Sequence, residues 1–351
     1  MQDLLGRLAA LDPEASLGLR VIACFDELIV GNVNTRALLS AAAALAGCTA
    51  GFHQERPART VRVTPKGELC PKGELRPIPG APPAHGVESG DGLTVWLERT
   101  GSAHANDAII LERLALAIRL RHGRGRRDLD NRRDLGTLLD ASVSVEDRHD
   151  AAARLGLSAK RSYRVVAAPL FATWRHHPAG PEDVVPTPFG PIHALVLAND
   201  HEAVDARPSG TGVPTRPEHL HRSFRTALVA LRLCAPPEVC SVDADQYGGL
   251  IAILADAPAD GHQPDVDLLD RIIAHSWGAA TLDALVRAGS VRQAARLSGV
   301  HHSTMQARLD SIEEILGFHP FDGWGRTRLG VAYLVWRLRH SRVLDLPAPV
   351  R

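Results

Sequence analysis

The stretch Gly289-Ser290-Val291-Arg292-Gln293-Ala294-Ala295-Arg296-Leu297-Ser298-Gly299-Val300-His301-His302-Ser303-Thr304-Met305-Gln306-Ala307-Arg308-Leu309-Asp310-Ser311-Ile312-Glu313-Glu314-Ile315-Leu316-Gly317 says most about how this chain folds. Ser290 has the chemistry of an N-cap, and Gln293 three residues on completes a capping box. The cap predicts a short helix over 291–298, in which Ala294 and Ala295 let a second helix approach closely. Gly299 supplies a tight turn and Val300 returns apolar surface to the core. Met305, Leu309, Ile312, Ile315 and Leu316 then recur at helical spacing, so a longer helix runs to a stop at Gly317. Upstream, 281–288 reads as a short helix with Leu282, Leu285 and Val286 inward.

A short capped helix, a turn with Gly and a longer helix form a helix-turn-helix arrangement. The first turn of the second helix would expose His301, His302, Ser303, Thr304 and Gln306, with Ala307 beside them. Small or polar groups of this kind fit a DNA major groove. Arg292, Arg296 and Arg308 are spaced for phosphate contacts. A helical hairpin used only for packing shows the same pattern, so the spacing alone leaves both uses open.

Residues Gly289–Ala295, His301–Leu309 and Ile312–Gly317, with the tail helix 328–339, resemble the C-terminal helix-turn-helix of the PucR/CdaR family of bacterial transcriptional regulators. The family's usual start of the reading helix is His-Arg-Asn-Thr-Val-Arg-Tyr-Arg-Leu. This chain keeps it at His301, Thr304, Arg308 and Leu309, and departs from it at His302, Ser303, Met305, Gln306 and Ala307. Two arginines able to meet phosphate or guanine are thereby absent, at His302 and Gln306. The resemblance implies a sequence-specific regulator that binds duplex DNA as a homodimer, and not an enzyme.

The same resemblance orders the rest of the chain. Leu19–Asp26 and Ala44–Phe52 look like the opening of a GAF-type sensory domain, and Trp96–Arg99 with the helix ending at Arg121 look like its close. Such a domain implies a small-molecule effector or a dimerising role, and no residue names a ligand. Residues 155–257 resemble a degenerate GGDEF-like domain, on Ser223–Leu233 and Asp245–Leu250. An active cyclase holds two metal ions on carboxylates of a tight hairpin. Here Gly248-Gly249 leads to Leu250-Ile251, so the domain is expected to be non-catalytic. The expected fold class is multi-domain α/β (α+β). It comprises a GAF-like domain (1–123), a basic helical linker (124–140), a degenerate GGDEF-like α/β domain (141–257) and an all-α helix-turn-helix domain (258–351).

The 351 residues carry 40 basic and 40 acidic side chains, a formal net charge of zero, and 45% are apolar. This excludes a wholly disordered chain, a fibrous repeat and a disulfide-stapled miniprotein, and weighs against indiscriminate coating by nucleic acid. The neutrality is a sum of unlike parts. Residues 119–133 hold seven arginines against two aspartates, a net of +5. Residues 181–270 hold five arginines against fourteen carboxylates, a net of −9, and 277–342 hold nine arginines against five carboxylates, a net of +4. An acidic centre and a basic C-terminal end are therefore expected, with the centre able to sit against the basic module in an inhibited state. The arginine run is read as a solvated linker rather than a second DNA contact. The helix before it is the type that pairs with its copy in a dimer.

The five cysteines form no CxxC pair, which fits thiols in a reducing cytoplasm. The opening residues lack a secretory pattern and no apolar run reaches membrane-spanning length, so a cytoplasmic protein without a membrane partner is expected. In the first segment, 17–28 fits helix or strand, 35–46 is a helix stopped by Gly47, and strands fall at 48–52, 60–63 and 93–97. A long helix covers 108–120. In the centre, strands at 162–170 and 192–197 flank a Pro/Gly loop over 178–191. Ser209–Gly212 reads as a turn, 216–233 as a helix, 239–242 as a strand, 250–254 as the start of another helix, and 257–264 as a linker.

His176-His177 and His219-x-His221 lack a carboxylate or third His at a familiar metal spacing. They read as exposed loop histidines, and no metal or cofactor is expected. HExxH, Walker A, GxGxxG after a strand and GxSxG are all absent from the sequence. Two other functions stay open: a family member acting through protein or ligand binding without a strong operator, and, more remotely, a nucleotide-metabolising enzyme.

Overall fold

In the computed structural model, which describes residues 13–31, 33–55, 58–70, 86–89, 92–122, 133–175, 177–201, 204–257 and 263–345, the ambiguous stretch 17–28 is helical. Helix α1 (Pro13–Val30) buries Val21, Cys24, Phe25 and Leu28, a spacing only a helix can turn to one side. Helix α2 (Thr35–Ala46) starts where Asn34 accepts a 2.8 Å bond from the Ala37 amide and ends at Gly47, whose φ is +69°. Strands β1 (Thr49–Glu55), β2 (Ala58–Val63), β3 (Gly86–Ser89) and β4 (Leu93–Glu98) form an antiparallel sheet in the order β2-β1-β4-β3. Helix α3 (Asp107–His122) follows. Arg99, at the end of β4, forms a bidentate pair with Asp107 and donates to the Ala46 carbonyl at 2.7 Å, so one guanidinium ties β4, α2 and α3 together.

Most of the arginine run lies outside the described residues. Helices α4 (Arg133–Leu139) and α5 (Val145–Arg154) precede strands β5 (Tyr163–Pro169) and β6 (Thr173–Trp174). The expected loop over 178–191 is instead largely strand. β7 (Glu182–Thr187) turns through Pro188-Phe189 into β8 (Gly190–Ala198), and β8 pairs with β5. Pro186 is tolerated because β7 is an edge strand. Strands β9 (Ala206–Arg207) and β10 (Ser209–Thr211) follow.

Ser209–Gly212 is likewise not a turn, since β10 pairs on both sides. Its glycines serve close approach to helix α6 (Leu220–Arg232). A Cβ on Gly210 would lie 2.2 Å from the Leu231 amide nitrogen, and one on Gly212 would lie 2.0 Å from the Ser223 carbonyl. Strand β11 (Ser241–Asp243) and helix α7 (Leu250–Asp256) complete the segment, whose five-stranded sheet runs β11-β10-β5-β8-β7. Leu170 and Val184 pack in the same core as Phe25, Leu38, Phe52 and Ile118.

The chain divides into two compact units, Met1–Ala252 with Arg342–Arg351, and Ile253–Ser341. The second unit is helical: α8 (Pro264–Ile273), α9 (Gly278–Arg287), α10 (Val291–Leu297), α11 (His302–Leu316) and α12 (Trp324–Arg339). Leu269, Ile272, Leu282, Met305, Leu309 and Ile312 form its core. Most of the expected linker at 257–264 lies outside the described residues.

The expected basic C-terminal end does not survive this division. Asp265 pairs with Arg328 at 2.6 Å, Asp267 with Arg339 at 3.3 Å, and Asp270 accepts from Trp336 Nε1 at 2.7 Å. These acids belong to α8 and face α12, not a separate acidic centre. Over 253–341 nine arginines meet ten carboxylates, a net of −1. All five cysteines are free thiols. No helix among the described residues is long and apolar enough to cross a membrane.

Candidate nucleic-acid interface

Ser290 caps α10 by accepting the Gln293 amide at 3.3 Å. The Gln293 side chain reaches back to the Gly289 amide at 2.8 Å, one residue earlier than an ideal capping box. Ala294 and Ala295 are buried, as close helix crossing requires. Gly299 has a φ of +64°, and the Val300 amide returns to the Ala295 carbonyl at 3.0 Å. This turn needs a residue tolerant of the left-handed region, which Gly supplies.

His301 caps α11, its Nδ1 accepting the Ser303 amide at 3.3 Å and lying 2.8 Å from Ser303 Oγ. Met305, Leu309, Ile312 and Leu316 are buried, so the opposite side of α11 turns outward. His302, Ser303, Thr304 and Ala307 are exposed there and Gln306 is half-exposed. On α10, Arg292 and Arg296 are exposed.

Arg308 departs from its expected role. It is half-buried, donates to Thr281 Oγ1 at 3.2 Å, and its guanidinium lies 5.5 Å from the Trp277 ring centroid. Its position on α11, three residues after Met305, turns it toward α9 and away from the outward row. Gln306 also has a local partner, donating to Asp310 Oδ1 at 2.9 Å. The sequence reading left out Asp310, although its i+4 spacing from Gln306 was visible.

Of the histidines expected as exposed loop residues, the three that are described are not exposed. His221 is buried and His219 half-buried; His176 lies outside the described residues. His177 is half-buried, its Nε2 2.7 Å from Glu182 Oε2 and its Nδ1 3.2 Å from Glu27 Oε2. The bond to Glu182, then that to Glu27, push His177 up to about 9. Burial works to raise Glu182, but the bonds from His177 and His193 outweigh it and hold its carboxyl below the ordinary range. The carboxylate and third histidine missing from the local sequence are therefore supplied by β7 and β8.

No curated protein matches the chain. The crystal structure of a regulator of polyketide synthase expression from Bifidobacterium adolescentis aligns with 62% of this chain and 96% of its own, at 14% identity and a TM-score of 0.23. The family model of the PucR C-terminal helix-turn-helix domain matches residues 279–335, from the start of α9 into α12, which takes in the whole of the capped turn and the outward row of α11. Residues 279–335 are therefore a PucR C-terminal helix-turn-helix domain.

Proposed function

We propose that the protein is a transcriptional regulator that binds duplex DNA by laying the first turns of α11 in the major groove. The observation that carries this is the outward row His302, Ser303, Thr304 and Ala307, on a helix whose other side is sealed in the core. Exposed Arg292 and Arg296 on α10 would meet phosphates while α11 touches base edges. A homodimer would present two such helices to half-sites about 34–36 Å apart. In this proposal 1–123 is a GAF-like domain that senses a small molecule or holds the dimer. Residues 141–257 are a degenerate GGDEF-like domain without catalysis, and the protein works in the cytoplasm as a regulator rather than an enzyme.

A second reading, binding of protein or ligand without a strong operator, has specific support. Arg308 is withdrawn onto Trp277, and Gln306 is held by a carboxylate that repels phosphate.

Fluorescence anisotropy of the full chain on duplex from upstream of its own gene, against unrelated duplex of equal length, separates the two. The first reading expects at least ~10³-fold preference for the upstream fragment. Arg292→Ala should weaken binding to every sequence and lower the salt slope by about 1, whereas Ser303→Ala should change which sequence is preferred. Equal affinity for both duplexes would favour the second reading.

A further inference from the structure

We propose that His177, Glu182 and His193 form a binding site for one divalent transition-metal ion of the zinc class. Two imidazoles, each giving up its Nε2 proton as the ion binds, and one carboxylate suit such an ion, with a fourth position left for water or a ligand oxygen. Both imidazoles present Nε2, at 2.7 and 2.8 Å from the same oxygen, Glu182 Oε2. The three ligand atoms lie within 4.8 Å of one another. Tetrahedral zinc with bonds of roughly 2.0–2.2 Å requires ligand atoms a little over 3 Å apart, so small side-chain shifts suffice.

The surroundings match a metal site beyond the ligands. Glu27, from α1, accepts at His177 Nδ1, as a carboxylate does when it fixes the tautomer of a metal-bound imidazole. Trp174 stands against both rings, with centroids 4.8 and 5.2 Å away. Glu182 and His193 are buried, while His177 keeps an edge toward solvent by which an ion can enter. The sheet register builds the site. Glu182 pairs with Leu195 and Val184 with His193, which makes Glu182 and His193 diagonal neighbours on one face. Gly31 leaves room for the carboxylate, since a Cβ there would lie 2.4 Å from Glu182 Oε2. A bound ion would join α1 to the β7–β8 hairpin through Glu27.

The test is titration of the EDTA-treated full chain with Co2+, read by visible absorption. One Co2+ per chain is expected, with a tetrahedral d–d band, no thiolate charge-transfer band, and displacement by Zn2+. His193→Gln and Glu182→Gln should abolish the band. Glu27→Gln, which keeps all three ligands, should weaken binding about 10-fold. Because substitutions at buried positions can unfold the chain, ring-15N NMR of the unaltered protein is the second readout. Zn2+ should shift two of the 17 histidines and no others. Absence of a saturable band, a thiolate band alone, a band that persists in folded His193→Gln, or shifts confined to surface histidines would each overturn the proposal.

Discussion

The outward face of α11 and the inner end of the β7–β8 hairpin put the same residue types to opposite uses. On α11, His301 and Gln306 make short-range bonds to Ser303 and Asp310 in contact with solvent. At the hairpin, His193 from β8 and His177 from the loop before β7 converge on the buried Glu182. An exposed polar group can exchange its partner for water or a ligand at little cost. A buried one left without a partner carries its full desolvation penalty. The first arrangement therefore suits a surface that must rearrange around a partner, and the second fixes the fold wherever nothing replaces the lost contact.

The contrast is tested most severely by ion pairs. The Arg99–Asp107 side chains are 8% and 3% exposed, whereas those of Arg287–Asp283 are 64% and 42% exposed. Arg99→Ala should cost about 3–5 kcal/mol in urea unfolding, because Asp107 stays buried and the Ala46 carbonyl loses its donor. Arg287→Ala should cost less than ~1 kcal/mol. Comparable losses at the two positions would break the contrast.

Next in size is a pH effect at His221, buried in the first turn of α6. Burial first, then Arg148, Arg222, His219 and Arg225, press its imidazole down to about 4 from an ordinary 6.5. Its buried Nδ1 has no hydrogen-bond partner. The unfolded chain therefore binds the proton more readily, and the contribution of His221 is full above pH 6.5 and lost as the pH falls toward 4. Unfolding free energies at pH 7 and 4.5 should differ by on the order of 1–3 kcal/mol less in His221→Gln than in the natural chain. An unchanged difference would show that His221 titrates as if exposed.

A smaller effect is expected at the cap of α10. Ser290→Ala removes the acceptor of the Gln293 amide and should cost about 1 kcal/mol. Because the cap sits at the surface, Ser290→Asp should restore most of the loss. Failure of Asp to rescue would mean that the hydroxyl does more than cap.

What could be read in advance follows the same division. Ser290, Gly299 and the stripe Met305–Leu309–Ile312–Leu316 specify the helix-turn-helix within a few turns of chain, so local spacing was enough. β7 and β10 were hidden because their prolines and glycines answer to distant partners: Pro186 to an open sheet edge, Gly210 and Gly212 to the backbone of α6. The His177–Glu182–His193 cluster was hidden because it exists only once β7 pairs with β8. The charge reading failed for a related reason. A window along the chain separated α8 from α12, whose arginines neutralise its aspartates.

The smallest expected change in stability falls on Asp310, where the contrast predicts a gain in duplex binding. Its carboxylate is exposed and lies one turn beyond Gln306, whose amide it accepts at 2.9 Å. An i,i+4 bond of this kind contributes only about 0.2–0.5 kcal/mol to a helix, so Asp310→Ala should leave the unfolding curve almost unmoved. Its effect on duplex binding should be larger, for two additive reasons. The Gln306 amide is freed for a base edge, and one negative charge is removed from the side of the helix that would approach phosphate. Asp310→Asn separates the two reasons, since it removes the charge and keeps an acceptor for Gln306. If both contribute, affinity measured by anisotropy should rise several-fold in Asp310→Ala and by less in Asp310→Asn. Equal gains would assign the whole effect to charge. No gain in either would mean that α11 does not meet DNA through this face.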